Sequence, residues 1–477
     1  MAGSPLGDTM RSSRLPLQIS ERKMLLILMD GVLVNVATLA ALLLGAQRSG
    51  WPVSSQFLAE RFYWFAGLTI FYLMLASVND GYNLKVAAEF LPSAFAILKV
   101  TVEILLVYLL VYFLLPPGSL PRHVMGFFSL ICPSLLLLWR WLYIVVFTAP
   151  QFRRRALIVG AGWAGRTIAQ AIYDNLSVDY EIVGFIDDDP HKQSQTLEDI
   201  PILGNHSKLV TLAEEKGISE IVLAITRDMN GDMFQAIMDC NERGIQITPM
   251  PILYEQMTGR VAVEHVGHNW FIVLPIDGVS TYSLFMLLKR IADVFISVLG
   301  LAFLLALLPF VALAIYLESP GPIFYSQNRV GRAGRTFQLI KLRSMAPDAE
   351  QDGQPRWAEE NDKRATRVGR FLRRTRLDEL PQCLNVLRGE MSLIGPRPER
   401  PEFVAELQKR IPFYRSRLAA RPGLTGWAQV NYHYGSSVED ALAKLQYDLY
   451  YIKHQSVYLD LLILLKTIGV VLSFQGT

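Results

Sequence analysis

The sequence predicts a membrane protein in three parts: an N-terminal four-helix transmembrane bundle, a central α/β domain, and a C-terminal, mainly α domain that opens with a further apolar helix. Three observations lead there. Four long apolar stretches precede residue 150. Short apolar runs alternate with helical patterns from 151 to 281. A fifth apolar stretch, interrupted by a proline, follows. The chain is 51% hydrophobic and 19% charged, with a mean hydropathy of +0.27, greasier than a soluble chain of 477 residues. A net charge of only +3 excludes a global nucleic-acid footprint, so no nucleic-acid partner is expected. Cys132, Cys240 and Cys383 are far apart and form no CxxC pair. That excludes a disulfide framework or a zinc site and fits reduced thiols facing the cytosol.

The predicted spans are 24–45, 62–76, 91–115 and 124–147. The first is too long for a cleaved signal peptide and no small-residue cleavage site follows it. Arg11, Arg14, Arg22 and Lys23 precede the first span, and Arg153, Arg154 and Arg155 follow the fourth. An even number of spans puts both clusters on one side, and the positive-inside rule makes that side cytoplasmic. Asp30 and Arg140 fall within spans and are expected to pair inside the bundle or to snorkel.

In the middle region, the strand pattern RALIVG runs into Gly160-Ala161-Gly162-Trp163-Ala164-Gly165 and then a helix pattern. This is GxGxxG in a strand-turn-helix context. A second strand at 181–186 ends in Asp187-Asp188-Asp189, and further strands are expected at 200–203, 220–225 and 245–249. Alternating β and α argues a doubly wound, Rossmann-like parallel sheet over 151–281. Gly160, Gly162 and Gly165 either carry a dinucleotide, with Asp187 or Asp188 on a ribose, or serve only the tight turn and helix-sheet packing. No second catalytic motif accompanies them, which favours packing and no tightly bound organic cofactor.

The C-terminal domain, 282–477, begins with Lys289-Arg290-Ile291-Ala292-Asp293 and an apolar run, 294–317, with Pro309 in its middle. A proline removes one hydrogen bond and bends the axis. The downstream flank is basic (Arg329, Arg332, Arg335, Lys341, Arg343), so a full crossing is disfavoured and a re-entrant helix at 288–318 is expected, with Lys289 and Arg290 at lipid headgroups. Further on, RFLRRTRLDELPQCLN sets Asp378 and Glu379 just before Pro381, near a predicted helix N-terminus and among arginines. On spacing alone this pair is either a solvated charge cluster or a pair of carboxylates used in chemistry.

The stretches KRIAD, IFYSQNRVGRAGRTFQLIKLRSM, RRTRLDELPQCLNVLRGEMSLIGPRPE and RPGLTGWAQVN, in that order over 284–477, resemble the bacterial sugar transferase family, the polyprenyl-phosphate glycosyl-1-phosphate transferases. The whole chain resembles the long members with four N-terminal spans, and its ending, GSSVEDALAKLQYDLYYIKHQSVYLDLLILLKT, is similar to the exopolysaccharide, undecaprenyl-phosphate glucose phosphotransferase type. The resemblance implies an Asp-Glu catalytic dyad, Asp378 and Glu379. The aspartate attacks the β-phosphorus of a UDP-sugar, UMP leaves, and undecaprenyl phosphate takes the phosphosugar. It implies Mg²⁺, or Mn²⁺ in its place, on Glu379 and Asp378, with Asp448 as a further acidic ligand. Lys341, Arg343, Arg373, Arg397 and Arg421 become candidates for phosphate or nucleotide. A multi-pass place in the bacterial cytoplasmic (inner) membrane is implied, with the catalytic domain on the cytoplasmic side, in contact with membrane lipids, and a homodimer. One departure stands out: the family commonly has Ser before the helix-breaking proline, and here it is Leu308. Two other classes fit the sequence less well. A membrane nucleotide-sugar dehydratase or epimerase needs Tyr-x-x-x-Lys after the Rossmann strands, and none stands at a sensible place between 155 and 282. A non-catalytic membrane scaffold has no use for the dyad.

Overall fold

Aliphatic runs of about twenty residues or more become helices in this chain, and runs of four to seven become strands of a sheet. The computed structural model describes residues 19–51, 54–112, 122–149, 153–176, 179–193, 195–226, 229–263, 283–346, 364–432 and 437–472. The chain divides into two compact units, Met1–Met257 and Thr258–Thr477.

The first unit opens with four long helices: α1 (Ile19–Ser49), α2 (Phe62–Val78), α3 (Phe90–Tyr112) and α4 (Arg122–Phe147). Each belongs to a helix long and apolar enough to cross a membrane, judged by length and composition. The last residues expected in the third span, 113–115, lie outside the described residues. On α1, Leu26, Asp30, Val34, Ala37 and Ala41 are buried, three or four residues apart, while Met24, Leu28, Val32 and Val36 are exposed. A helix apolar on its outward face as well as its inward one suits lipid better than water. Asp30 meets Arg140 on α4 at 2.9 Å, both fully buried, so the expected pairing inside the bundle is found.

The α/β part follows: β1 (Arg154–Val159), α5 (Trp163–Leu176), β2 (Tyr180–Ile186), β3 (Thr196–Leu197), β4 (Ile200–Gly204), α6 (His206–Glu215), β5 (Glu220–Leu223), α7 (Gly231–Glu242) and β6 (Gln246–Pro249). The sheet order is β3-β4-β2-β1-β5-β6, and every pairing is parallel except β3 with β4. The five strands expected from the apolar runs are all present. β3 was not expected; it forms a hairpin with β4 through Glu198 and Asp199, both at positive φ (51° and 62°). Such a turn ordinarily signals itself by Asn-Gly or Asp-Gly, which is absent here. The core gathers Leu157, Val159, Ile186, Leu209, Ile221 and Cys240 between sheet and helices. At its lower edge, buried Arg154 pairs with Glu220 at 2.7 Å, and Tyr180 and Thr248 donate to the same carboxylate.

The second unit starts earlier than the expected 281/282 boundary. Val261 and Val263 are buried with Val330, Val404, Leu445 and Leu449, and so belong to the C-terminal core. Residues 264–282 lie outside the described residues. The unit comprises α8 (Ser283–Glu318), the antiparallel hairpin β7 (Phe324–Val330) and β8 (Thr336–Leu342), α9 (Arg367–Arg374), α10 (Cys383–Arg388), β9 (Ser392–Ile394), α11 (Pro401–Arg410), β10 (Gly423–Thr425), α12 (Val438–Lys453) and α13 (Val457–Leu472). The break expected at Leu308-Pro309 does not interrupt α8, which is one helix of 36 residues with Pro309 inside. A proline removes a single ladder bond, and the apolar chain on both sides keeps the rest. α8 is the fifth helix long and apolar enough to cross a membrane, and Phe295, Leu305, Phe310, Leu313 and Leu317 are exposed on it.

Candidate active site

Asp378 and Glu379 sit in a short 3₁₀ turn, Leu377–Gln382, that leads directly into α10. The sequence placed them at an α-helix start; Pro381 inside the turn and the tighter winding common at helix ends account for the difference. Arg376 enters the turn in the left-handed conformation, φ 57°. The two carboxylates are 5% and 6% exposed, which removes the reading of a solvated charge cluster.

The neighbours of the two acids differ. Three cations converge on one oxygen of Glu379: Arg397 Nη2 donates to Oε1 at 2.9 Å, Lys341 Nζ at 3.1 Å, and Arg376 Nη1 lies 3.6 Å away. Burial works to raise the Glu379 carboxyl, but Arg397, Lys341 and Arg376 hold it well below the usual carboxylate range. Burial likewise draws Lys341 down, against the pull of Glu379. Asp378 has less help. Its Oδ1 is buried with no hydrogen-bond partner among the described residues. Burial pushes its carboxyl up to about 6; Lys341 opposes that push and the Glu379 charge adds to it.

Each part of the pocket has a local cause. Lys341 comes from β8, whose register against α10 is fixed by the buried amide of Asn385. Its Oδ1 accepts from Ile340 N at 3.2 Å, and its Nδ2 donates to the Gln338 carbonyl at 2.7 Å and to Glu390 Oε2 at 2.7 Å. Arg397 stands in the turn Gly395-Pro396-Arg397-Pro398, just beyond β9. A Cβ at Gly395 would run into the Arg421 carbonyl oxygen, so only glycine fits that crossing. The Arg397 carbonyl accepts from Arg417 Nη2 at 3.0 Å, and Arg417 Nη1 donates to Tyr414 Oη at 2.7 Å.

Asp448, expected as a further metal ligand, has its buried carboxylate 2.7 Å from Arg417, and burial pushes it up to about 6 against that arginine's pull. Among the described residues no group of three or more His, Cys, Asp or Glu gathers to hold a metal. The donor set at the dyad is therefore two carboxylates, with the orphaned Asp378 Oδ1 pointing to a missing positive partner or an incoming group. One or two carboxylates completed by substrate phosphates is how Mg²⁺ is commonly held, so the residues fit that ion in this limited form.

The other expected residues divide. Lys341 and Arg397 are at the dyad, and half-buried Arg373 is close enough to lower the Asp378 carboxyl. Arg343 donates to the Ser319 carbonyl, with its Nη1 buried and unpartnered among the described residues. Arg421 is exposed. Lys289 and Arg290, expected at lipid headgroups, are taken up by protein. Lys289 Nζ meets Asp460 at 2.8 Å and the Tyr451 hydroxyl at 3.0 Å, and Arg290 donates to the Val386 and Leu387 carbonyls. Acceptors inside the fold outcompete a solvated surface. Asn385, Tyr414 and Arg417 were not singled out from sequence. Arg376 stood visibly beside the dyad, but nothing in an arginine announces a positive φ.

The GxGxxG loop is closed on itself. Gly160 has φ +108°, and a Cβ at Gly165 would run into the Gly160 carbonyl oxygen. Ala161 N donates to Asp187 Oδ2 at 2.7 Å, and Lys192 Nζ donates to the same oxygen at 2.9 Å. Asp187 thus caps the loop, while Asp188 pairs with His206 at 2.9 Å. A Cβ at Gly162 would meet nothing, so packing explains the first and third glycines and leaves the second open.

A family model described as bacterial sugar transferase matches residues 284–474, and one described as CoA-binding domain matches residues 77–251. The chain is similar to a UDP-N-acetylgalactosamine-undecaprenyl-phosphate N-acetylgalactosaminephosphotransferase of Aeromonas hydrophila, 39% identical over 52% of this chain and 57% of the relative. It is similar to a UDP-glucose:undecaprenyl-phosphate glucose-1-phosphate transferase of Xanthomonas campestris pv. campestris, 32% identical over 66% of each. A putative undecaprenyl-phosphate N-acetylgalactosaminyl 1-phosphate transferase of Bacillus subtilis is 49% identical over 28% of this chain and 75% of its own length. The matched part thus spans less than two thirds of the first two relatives.

Proposed function

The chain belongs to the bacterial sugar transferase family, and from that premise we propose that it moves a sugar-1-phosphate from a UDP-sugar onto undecaprenyl phosphate and releases UMP. UDP-glucose is the first donor to try, with UDP-galactose and N-acetylated UDP-sugars next; relatives named for glucose and for N-acetylgalactosamine both support that panel. The observation that carries the reading is the inequality of the dyad: Glu379 is clamped by cations, and Asp378 keeps a buried, unpartnered oxygen.

An Asp378 oxygen attacks the β-phosphorus, and the bond from that phosphorus to the UMP oxygen breaks. An acyl-phosphate sugar remains on the enzyme. An oxygen of the lipid phosphate then attacks the same phosphorus, breaks the bond to Asp378 and restores the carboxylate. Lys341, Arg373 and Arg397 offset charge on the phosphates, the guanidinium forks giving directional contacts. Mg²⁺, when bound through Glu379 and the diphosphate, would supply further charge neutralisation for the leaving UMP.

Two bonds support an α8 that keeps both ends on one side of the membrane, and its basic downstream flank argues that this is the cytoplasmic side. Arg290 near its start and Ser319 just beyond its end both bond within the same compact unit. A helix crossing a hydrocarbon core of about 30 Å would deliver those ends to opposite faces. Cysteines placed at 283 and 326 should both be shielded from an impermeant thiol reagent outside intact cells; labelling of one alone means a crossing.

The test of the reaction is intact-protein mass after mixing with UDP-sugar and Mg²⁺ but no lipid acceptor. A gain of one hexose phosphate in the wild type, absent in Asp378→Asn, is expected. UMP release by Asp378→Asn at the wild-type rate would remove the aspartate from this role.

A further inference from the structure

The segment that carries the dyad, from Arg367 to Arg388, is built from pieces too short to stand alone. α9 has eight residues, the 3₁₀ turn six and α10 six. Helices of that length have no stability of their own in water. Their terminal N–H and C=O groups also need partners from elsewhere. One helix supplies them at both ends. Glu318, the last residue of α8, accepts from Arg367 N at 2.6 Å and from Val368 N at 2.8 Å, at the start of α9. Arg290, near the beginning of α8, donates to the Val386 carbonyl at 2.7 Å and the Leu387 carbonyl at 2.9 Å, at the end of α10. An anion on a helix start and a cation on a helix end is the arrangement that backbone dipoles favour. Between these two clamps α8 stays with the segment. Leu304 and Ile315 are buried with Leu372, and Leu377 and Leu380, which flank the dyad, pack against the same cluster. Nearer Arg290, a Cβ at Gly300 would lie 3.0 Å from Cys383 Sγ.

We propose that α8 is a positioning element of the reaction, and that Glu318 and Arg290 bracket the dyad-bearing segment so that Glu379 is held against Lys341 and Arg397 with Asp378 beside it. Neither residue touches the dyad; both act through the backbone they hold. The proposal rests on the transferase reading for its catalytic consequence. It gives the long apolar helix a second task beyond contact with lipid, because the helix that seats the enzyme also sets the alignment of its two acids.

The experiment uses the full chain in lipid nanodiscs and reads two quantities: amide hydrogen exchange over 367–391, and kcat and KM for UMP release. Glu318→Ala should speed exchange at 367–374, and Arg290→Ala at 383–391. Each should lower kcat about tenfold, a fraction of what its two lost charge-assisted contacts are worth, while KM for the UDP-sugar stays within about twofold. Glu318→Gln keeps a carbonyl acceptor and should fall less; Arg290→Lys keeps a cation and should do the same, and these milder variants serve if either alanine variant fails to fold. Glu406→Gln, at an exposed pair with Arg410, should change neither quantity. Unchanged exchange over 367–391 in the Glu318 and Arg290 variants would overturn the bracket. So would a kcat that falls only in proportion to the folded fraction. A wild-type enzyme that releases no UMP from any UDP-sugar would sink the transferase reading instead, and the exchange data would still decide the bracket.

Discussion

The GxGxxG loop and the Asp378–Glu379 turn are the two places where the sequence advertises phosphate chemistry, and they differ in what they leave unsatisfied. In the loop, Asp187 accepts from Ala161 N and from Lys192, and two of the three glycines are required by packing. In the dyad turn, one carboxylate is surrounded by cations and its neighbour has a buried oxygen with no partner. A motif whose polar groups answer one another is finished as structure. A motif that buries an unanswered group at a cost of about 1–3 kcal/mol is waiting for something. The glycines carry the better-known signature, yet the dyad carries the unfinished chemistry.

The comparison can be broken first at the dyad. Asp378→Asn should lower UMP release by at least about a thousandfold, the loss expected for a covalent nucleophile. Glu379→Gln should lower it by about a hundredfold. It should also destabilise the fold by about 1–3 kcal/mol in urea titrations, because three half-buried cations lose their shared counter-charge. If Glu379→Gln proved the more damaging to turnover, the two roles would be exchanged.

The pH profile sharpens the contrast between the two acids. Asp378, pushed up to about 6, takes a proton as pH falls through that value and loses its nucleophilic form. Glu379, held well below the ordinary carboxylate range, stays ionised across the same window. The rate kcat/KM should therefore be level above about pH 7 and drop about tenfold per unit below about pH 6. A level profile down to pH 5 would mean that Asp378 is not the titrating nucleophile.

The smallest effects belong to the loop. Gly165→Ala should cost about 1–3 kcal/mol in thermal unfolding, since the new methyl meets a carbonyl oxygen. Gly162→Ala should stay within about 0.5 kcal/mol. Neither should alter KM for the UDP-sugar. A Gly162→Ala protein that folds normally but loses UMP release would put a ligand on the loop after all.

Much of this was legible because it follows from periodicity. The apolar helices and the five strands, the second running into Asp187-Asp188-Asp189, come from runs and spacings that a bilayer or a sheet demands, whereas the dyad was assigned through the family resemblance. What was not legible depends on which partner wins a side chain. Asp448 was an acid of the right kind, but Arg417, far away in sequence, claims it. Lys289 and Arg290 looked like headgroup ligands, yet Asp460 and two helix-end carbonyls take them. Leu308-Pro309 read as a break, but one missing donor does not end a helix of 36 residues.

The left-handed backbone at Arg376 bears on anyone who would engineer this protein for robustness. A non-glycine residue at φ 57° gives up about 1–2 kcal/mol relative to an ordinary conformation. A screen that rewards thermal tolerance would therefore favour Arg376→Gly, which relaxes the backbone at no steric cost. The same change removes one of the three cations around Glu379. Hardier clones recovered from such a screen should be poorer catalysts, and position 376 is where that trade between endurance and turnover can be measured in a single codon.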